Sequence, residues 1–282
     1  MATYILLGGD GYFGRNFKEY LGDQNIIVID KKINYDLNYP VPHETLKTTD
    51  TVYVINFAAI SFVDYSITHP EETITNNFNC CINGYKLYQN IKATNKNYVY
   101  ISTDEVRVKK DTKHLSPYVK SKIMCEEYLK NLNDNNVKIM RPVNLMDMVS
   151  AKKELLQQNN CILRKITDCI KNKREFYIHG KGTQKRMFMT MSRACELLKI
   201  LSGLKTNFYI LDIADLSEHR TANISIFNLT YYLSNIYKFN VKEIEDPRGI
   251  YQDNDYFNSS EFIKPNDYTL FVNCVEKNLS VI

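Results

Sequence analysis

The fold is decided near the start of the chain by the stretch Tyr4-Ile5-Leu6-Leu7-Gly8-Gly9-Asp10-Gly11-Tyr12-Phe13-Gly14. Its short apolar run predicts a strand that is buried on both faces of a parallel sheet. The three spaced glycines permit a tight turn, a close backbone approach to a pyrophosphate, and close packing of a helix on a strand. A helical stretch containing Phe17, Tyr20 and Leu21 follows. The stretch therefore predicts a dinucleotide site at the N-terminus of the first helix.

A second apolar run supports this interpretation, because Ile26-Ile27-Val28-Ile29 ends at Asp30. A carboxylate at this position accepts hydrogen bonds from the adenosine ribose and repels a 2′-phosphate, which favours NAD over NADP. The alternative is that Asp30 is only the polar end of a strand. Lys31 and Lys32 leave room for a phosphate.

The chain then continues to alternate between strands and helices. A strand is predicted over Val52–Ala59, a helix over Glu71–Tyr88 and a further strand over Tyr98–Ile101. The small side chains of Ala58 and Ala59 would let the backbone pass close to the cofactor. We therefore expect an α/β fold with a Rossmann-like, doubly wound parallel sheet and right-handed crossovers.

A set of proton-transfer groups follows the fourth predicted strand, Tyr98–Ile101. Thr103, Asp104 and Glu105 come directly after it, where ligands bind in sheets of this kind. Tyr118 and Lys122 open the next helical pattern and, being four residues apart, share one helical face. With the positive charge of a nicotinamide, Lys122 would move the pKa of Tyr118 from about 10 toward neutrality. The alternative for the two acidic residues is a solvated turn.

The rest of the chain gives weaker patterns. We predict an NAD-binding domain over residues 1–142 and a smaller, interleaved C-terminal lobe, mainly for substrate, over residues 143–282. A strand near 208–213 should return to the sheet, and a helical pattern covers Thr221–Tyr237. Between residues 33 and 50 a full doubly wound fold would have another strand, but the sequence shows at most a remnant.

Composition excludes several classes of function. A net charge of +4, spread over scattered lysines, argues against a nucleic-acid partner. Seven cysteines without a C-x-x-C motif indicate a reducing compartment, and the five histidines show no metal-ligand spacing. No apolar run approaches the ~20 residues that cross a bilayer, and the N-terminus lacks a signal pattern. We expect a cytoplasmic protein without a metal or a membrane contact.

Several stretches match the motifs of one known family. They are Gly8–Gly14 for G-x-x-G-x-x-G, Ile29–Lys31 for the end of the second strand, Ala58–Ile67 for A-A-E-S-H-V-D-R-S-I, Ser102–Val106 for S-T-D-E-V, and Ser116–Lys122 for S-P-Y-x-x-S-K. On these residues the chain resembles the extended short-chain dehydrogenases/reductases that act on sugar nucleotides, and most of all the dTDP-glucose 4,6-dehydratases. S-T-D-E-V is the specific motif, because 4-epimerases of this superfamily usually carry small or hydroxyl residues in place of Asp104 and Glu105.

The resemblance implies NAD as the cofactor and a nucleotide-diphosphate sugar as the substrate. The residues expected to bind NAD are Gly8, Gly11, Tyr12, Phe13, Gly14, Asp30, Lys31, Ala58, Ala59, Tyr118 and Lys122. Weaker matches at R-x-x-N, G-D-G-x-x-x-R and D-R-P-G imply that Asn144, Arg186 and Arg248 hold the nucleotide diphosphate. Helices near 71–91 and 118–131 would form the bundle of a homodimer.

The resemblance also implies catalytic roles. Tyr118, supported by Lys122, would take a proton from the carbon-4 hydroxyl, and Thr103 would hold that oxygen. Glu105 would act as the base at carbon 5, and Asp104 would protonate the leaving carbon-6 hydroxyl. The expected reaction converts dTDP- or UDP-glucose to the 4-keto-6-deoxy sugar nucleotide and water.

The departures from the family pattern keep other functions open. Ile60, Phe62 and Tyr65 replace a Glu, a His and an Arg, while Met187 replaces an Asp and Arg107 breaks V-Y-G. The chain is also shorter than typical members. The alternatives are a 4-epimerase or 4-keto reductase of the same superfamily, or a nucleotide-binding protein whose catalysis has decayed.

Overall fold

The structure is a computed structural model that describes residues 2–42, 44, 46–107, 115–146, 162–213, 221–245 and 265–280. The chain divides into two compact units. The first comprises Met1–Pro142 and Ala194–Ile213, and the second comprises Val143–Arg193 and Ala214–Ile282.

The first unit is built from alternating strands and helices. In chain order they are β1 (Thr3–Leu7), α1 (Tyr12–Leu21), β2 (Asn25–Ile29), β3 (Thr51–Asn56), α2 (Val63–Thr68), α3 (Pro70–Asn90), β4 (Asn95–Ile101), a 3₁₀ turn (Asp104–Arg107), α4 (Pro117–Asn131), β5 (Val137–Arg141), α6 (Met191–Gly203, which belongs to this unit from Ala194 onward) and β9 (Tyr209–Asp212). The short helix α2 was not predicted. It lies in the stretch that resembles A-A-E-S-H-V-D-R-S-I.

The strands of the first unit form one six-stranded parallel sheet with the order β2-β1-β3-β4-β5-β9. All five residues of β1 are buried, as the continuous apolar run predicted for a strand covered on both faces. The α/β, Rossmann-like fold class is confirmed. Strand β9 pairs in parallel with β5 at one edge. Among the described residues between β2 and β3 there is no strand, so β2 is the other edge of this sheet.

Local sequence signals begin and end the helices that matter for the site. Helix α1 begins after Gly11 and ends at Gly22, whose φ of 60° is a left-handed conformation that glycine tolerates well. Helix α4 begins after Ser116, whose side chain accepts a hydrogen bond from the Val119 amide. Pro117 follows at the first helical position, where its missing N–H has no intrahelical partner in any case.

The second unit has two small sheets and a separate core. Its elements are β6 (Asn144–Met146), α5 (Ile162–Lys171), β7 (Phe176–His179), β8 (Lys185–Thr190), β10 (Thr221–Ser225), α7 (Ile226–Tyr237), β11 (Val241–Ile244) and α8 (Pro265–Ser280). The sheets have the orders β10-β8-β6 and β11-β7. Their core includes Phe176, Phe188, Leu229 and Phe271.

The helical pattern predicted over Thr221–Tyr237 is wrong in its first part. Residues Thr221–Ser225 form β10, which pairs antiparallel with β8, and the helix begins only at Ile226. The Ser225 side chain accepts a hydrogen bond from the Asn228 amide and thereby caps the helix. Sheet pairing therefore overrides the helical periodicity up to this cap.

Candidate active site

The glycine stretch forms a cradle that side chains would fill. Gly8 has a φ of 70°, and a Cβ atom there would lie 2.6 Å from the Cα atom of Ala58. A Cβ atom on Gly14 would lie 2.7 Å from the Cα atom of Gly9. Backbone therefore packs on backbone at both positions, and only glycine permits this approach.

The N-terminus of α1 opens at this cradle. Gly11 is its N-cap, and no described side chain caps the helix there. The first turn begins with Tyr12 and Phe13 and carries no acidic residue. Phe13 packs its ring against Phe57, with centroids 5.1 Å apart. The first amides and the helix dipole together form a suitable site for the pyrophosphate of NAD.

The carboxylate of Asp30 lies beside the glycine stretch at the end of β2. Asp30 is 8% exposed, and its two oxygens accept hydrogen bonds from the amides of Asp10 and Lys32, each 3.0 Å long. Lys31 is exposed next to it. A carboxylate has about four acceptor positions, so Asp30 keeps capacity for ribose hydroxyls. Together with the glycine cradle, this donor and acceptor set fits NAD.

Thr103, Asp104 and Glu105 lie beyond the carboxyl end of β4. Asp104 is held by its amide, which donates to the Pro142 carbonyl at 3.1 Å. The Thr103 hydroxyl is 3.4 Å from both an Asp104 carboxyl oxygen and the Glu105 amide. Thr103 and Asp104 are buried, whereas Glu105 is half-buried. The 3₁₀ turn therefore presents two adjacent carboxyls in different environments.

Tyr118 and Lys122 from α4 meet this strand end. The Thr103 side chain is one of the groups that act on the pKa of the Tyr118 phenol, which it lowers. The Lys122 ammonium donates to the Ile101 carbonyl at 2.7 Å and lies 4.6 Å from the centroid of the Tyr100 ring. Its distance to the centroid of the Tyr118 ring is 5.9 Å. The structure thus brings together all five predicted catalytic residues within the first unit.

The surroundings of Tyr118 in the folded chain act on its pKa in both directions. Tyr118 keeps part of its side chain exposed, yet burial is the main cause that raises its pKa above the usual value. The charge of Glu105 raises the pKa further, and the hydrogen bond with Thr103 lowers it. Lys122 hydrogen-bonds the Ile101 carbonyl, and burial lowers its own pKa. Lowering the pKa of Tyr118 toward neutrality therefore needs positive charge beyond that of Lys122.

Asn77 on α3 supports the site and was missed by the sequence interpretation. Its side chain accepts from the Ile60 amide at 2.7 Å and donates to the Ile60 carbonyl at 3.1 Å and to the Ser121 hydroxyl at 2.8 Å. The Ser121 hydroxyl in turn donates to the Tyr118 carbonyl at 2.7 Å. One buried amide thereby joins the segment after Ala58 and Ala59 to the catalytic helix. The available signal was an Asn in the middle of a helical pattern, where this residue is a poor helix former.

Two of the three predicted substrate residues are described, and both belong to the second unit. Asn144 on β6 donates to the Met187 carbonyl at 3.1 Å. Arg186 lies on the neighbouring strand β8, where its side chain donates to the Lys185 carbonyl at 3.1 Å. Arg248 lies outside the described residues.

Among the described residues, no group of three or more His, Cys, Asp or Glu side chains could hold a metal ion. Within the same part of the chain, no helix has the length and apolar character needed to span a bilayer.

Comparison with known proteins places the chain in a family. The sequence model of the NAD dependent epimerase/dehydratase family matches residues 4–201. The chain therefore belongs to this family. The family confirms NAD as the cofactor, in agreement with the cradle and Asp30. A search of the curated proteins finds no match.

Solved structures with the same fold cover nearly the whole chain. A UDP-N-acetylglucosamine 4-epimerase from Methanobrevibacter ruminantium M1 is 19% identical over 100% of this chain and 99% of its own, with a TM-score of 0.74. TunA, an NAD dependent NDP-hexosamine 5,6-dehydratase of tunicamycin biosynthesis, is 15% identical over 99% and 98%, with a TM-score of 0.75. A UDP-glucose 4-epimerase from Thermotoga maritima is 15% identical over 99% of each chain, with a TM-score of 0.71. At these identities the likeness shows the fold.

Proposed function

We propose that the protein is an NAD-dependent nucleotide-sugar 4,6-dehydratase, which converts dTDP- or UDP-glucose to the 4-keto-6-deoxy sugar nucleotide and water. The observation that carries the proposal is the pair of adjacent carboxyls, Asp104 and Glu105, beside Thr103 and Tyr118. Membership of the epimerase/dehydratase family supports enzymatic chemistry on a nucleotide sugar. The two carboxyls support elimination in particular, because elimination needs both a base and an acid.

The first half of the reaction is an oxidation at carbon 4. NAD, which the glycine cradle and Asp30 would hold, would supply a hydride acceptor for carbon 4 and a hydride donor for carbon 6. Tyr118, as the phenolate, takes the proton of the carbon-4 hydroxyl. Thr103 donates a hydrogen bond to the same oxygen. This role fits its position, because the Thr103 side chain acts on the Tyr118 phenol. Lys122 fixes the end of β4 through the Ile101 carbonyl.

The second half is the loss of water across carbons 5 and 6. The new carbonyl at carbon 4 acidifies the proton on carbon 5, and Glu105 removes that proton. Asp104 gives a proton to the carbon-6 hydroxyl, which leaves as water. We assign the role of acid to Asp104 because it is the more buried of the two carboxyls, and the division into one acid and one base needs two different environments.

The nucleotide and the assembly belong to the same proposal. Asn144, Arg186 and Arg248 hold the nucleotide diphosphate, since guanidinium groups can bind phosphate in a bidentate way. Helices α3 and α4, which pack together in the first unit, form the helix bundle of a cytoplasmic homodimer.

Incubation of the pure protein with NAD and a panel of UDP- and dTDP-sugars tests this function. Mass spectrometry should show the loss of one water from dTDP- or UDP-glucose. An isobaric isomer would instead indicate a 4-epimerase, and turnover of only 4-keto sugars with a reduced cofactor would indicate a reductase. Bound NAD with no turnover of any sugar nucleotide would leave a nucleotide-binding protein.

Isotope position separates 4,6-dehydration from other water losses. A substrate with deuterium on carbon 4 should give a product with deuterium on carbon 6, as read by nuclear magnetic resonance. A 5,6-dehydratase loses the same mass, but its alkene receives no deuterium at carbon 6. Deuterium absent from carbon 6 of the dehydrated product would refute the proposal.

A further inference from the structure

Four charged side chains form a connected ion network in the first unit. Arg107 Nη1 lies 3.5 Å from Asp212 Oδ1, and Asp212 Oδ2 accepts from Arg141 Nη1 at 2.9 Å. Arg141 Nε donates to Glu126 Oε1 at 2.9 Å, and Arg141 Nη2 bonds the other oxygen of Glu126. The two guanidinium groups and two carboxylates balance in charge, so the network can form with little net charge at the sheet edge.

The network joins the two elements that carry the catalytic groups. Arg107 is the last residue of the 3₁₀ turn that begins with Asp104 and Glu105. Glu126 lies on α4, four residues after Lys122 and therefore on the same helical face. Asp212 and Arg141 are the paired last residues of β9 and β5. The turn and the helix are thus both attached to one rigid point at the edge of the parallel sheet.

The two ends of the network differ in tightness. Glu126 is bonded by more than one nitrogen of Arg141, which is the geometry of a strong, charge-assisted pair. The contact between Arg107 and Asp212 is longer than an ordinary hydrogen bond, and 32% of the Arg107 side chain is exposed. Of the two contacts, the one between Arg107 and Asp212 is therefore the looser.

The contact between Arg107 and Asp212 matters because the backbone of the turn is fixed more firmly at its first end than at its last. The Asp104 amide is anchored at 3.1 Å to the Pro142 carbonyl, but the Val106 amide reaches the Thr103 carbonyl only at 3.4 Å. The first end of the turn is thus fixed by the sheet. At the other end, the Arg107 side chain reaches the sheet edge through Asp212.

We propose that Arg107 is a positioning residue. It acts through Asp212 to hold the carboxyls of Asp104 and Glu105 at the correct position relative to the Tyr118 hydroxyl. This inference rests on the proposed function, because it assigns the turn to the elimination. Misplacement of a catalytic group by about 1 Å can lower the rate on the order of a hundredfold. Even a weak contact that fixes the turn therefore matters for proton transfer. An arginine at this position is one of the departures from the V-Y-G pattern, and the network explains it.

The test compares Arg107→Met with Arg107→Lys and with the matched control Arg174→Met. Arg174 forms an exposed ion pair with Asp168 in the second unit, away from the turn in sequence. We expect Arg107→Met to lower kcat for water loss about tenfold while KM and NAD affinity change less than about twofold. Arg107→Lys should recover most of the rate, because a contact with Asp212 of this length needs the charge rather than a bidentate fork. Arg174→Met should match the parent protein.

Hydrogen–deuterium exchange supplies a readout that does not depend on activity. In Arg107→Met the amides of the 3₁₀ turn should exchange faster, while those of β1, β3 and β4 stay as in the parent. In an Asp212→Asn background, Arg107→Met should lower kcat by no more than about twofold further, because the partner is already neutral. The lower kcat of Arg107→Met, the faster exchange of the turn and the small further loss in the Asp212→Asn background would together support the proposed role of Arg107.

Other outcomes overturn the inference. Unchanged kcat and exchange in Arg107→Met would show that the residue holds nothing. Faster exchange throughout the sheet, with kcat and KM changed together, would show a general structural role. A parent protein that never releases water would refute the proposed function instead. Exchange at the turn, measured without substrate, would then still decide whether Arg107 holds it.

Discussion

Helix α4 and the 3₁₀ turn hold the two halves of the proposed chemistry in different ways. The helix has 15 residues and a side-chain cap, and buried bonds from Asn77 and Arg141 fix it to its neighbours. The turn has only four residues, and its Asp104 amide donates to the Pro142 carbonyl. The oxidising groups therefore sit on a rigid support, while the eliminating groups sit on a small element that can change without loss of the fold. This difference suggests why one scaffold serves both epimerases and dehydratases.

The largest effect should come from the helix. Tyr118→Phe removes the proton acceptor for the carbon-4 hydroxyl, so both oxidation and water loss should fall about a thousandfold. The measurements are transient NADH absorbance and product mass. Tyr128→Phe is the matched control, because it removes a phenol from the same helix at a position that packs against Phe78. A Tyr118→Phe variant with the parent activity would show that Tyr118 is not the proton acceptor.

A change in the turn should separate the two halves. Glu105→Gln removes the base at carbon 5, so water loss should fall roughly a hundredfold while NAD binding and transient NADH formation persist. Glu127→Gln, which neutralises an exposed carboxylate of α4, serves as the control. If Glu105→Gln still dehydrates at the parent rate, the base is wrongly assigned.

A smaller effect is expected on the pKa of Tyr118, because the charge of Glu105 on the turn acts on this residue of α4. The charge of Glu105 contributes to the raised pKa of Tyr118, so the phenol should ionise at a lower pH in Glu105→Gln than in the parent. The sign follows because a nearby negative charge disfavours the phenolate. The measurement is an ultraviolet titration curve of each protein. Subtracting the curve of the same protein with Tyr118→Phe leaves the ionisation of the Tyr118 phenol. Ionisation at an equal or higher pH would show that Glu105 does not face Tyr118.

The smallest effect should come from the helix cap. Ser116→Ala removes the hydrogen bond to the Val119 amide and should lower the free energy of unfolding by about 1 kcal/mol. We expect kcat to change less than about twofold, because the buried bonds from Asn77 and Arg141 still fix α4. Urea denaturation and steady-state rates give the two numbers. A large loss of kcat at unchanged stability would show that the cap, and not the buried contacts, sets the position of Tyr118.

Much of the first unit could be predicted from local patterns. The run from Tyr4 to Leu7 gave β1, the spaced glycines gave the cradle, and Ser116 with Pro117 gave the start of α4. These signals are local, because turn conformation and capping depend on residues a few positions apart. The strand β10 escaped prediction because its pairing with β8 lies far away in the sequence. The resemblance to a family supplied the roles of Thr103, Asp104 and Glu105, which spacing alone leaves open to a solvated turn.

The sequence by itself determined the fold class and the cofactor, and it predicted the cofactor-binding residues and the set of five proton-transfer residues, because each depends on short motifs. Only the tertiary structure decided how those residues are supported. Asn77 and Ser121 are separated by 44 residues, and Arg107 meets Asp212 only because β9 returns to the sheet. The structure also decided the surroundings that shift the pKa of Tyr118, since burial and the placement of Glu105 and Thr103 are properties of the folded chain. Contacts between distant residues and the loss of solvent arise on folding, and no local pattern contains them.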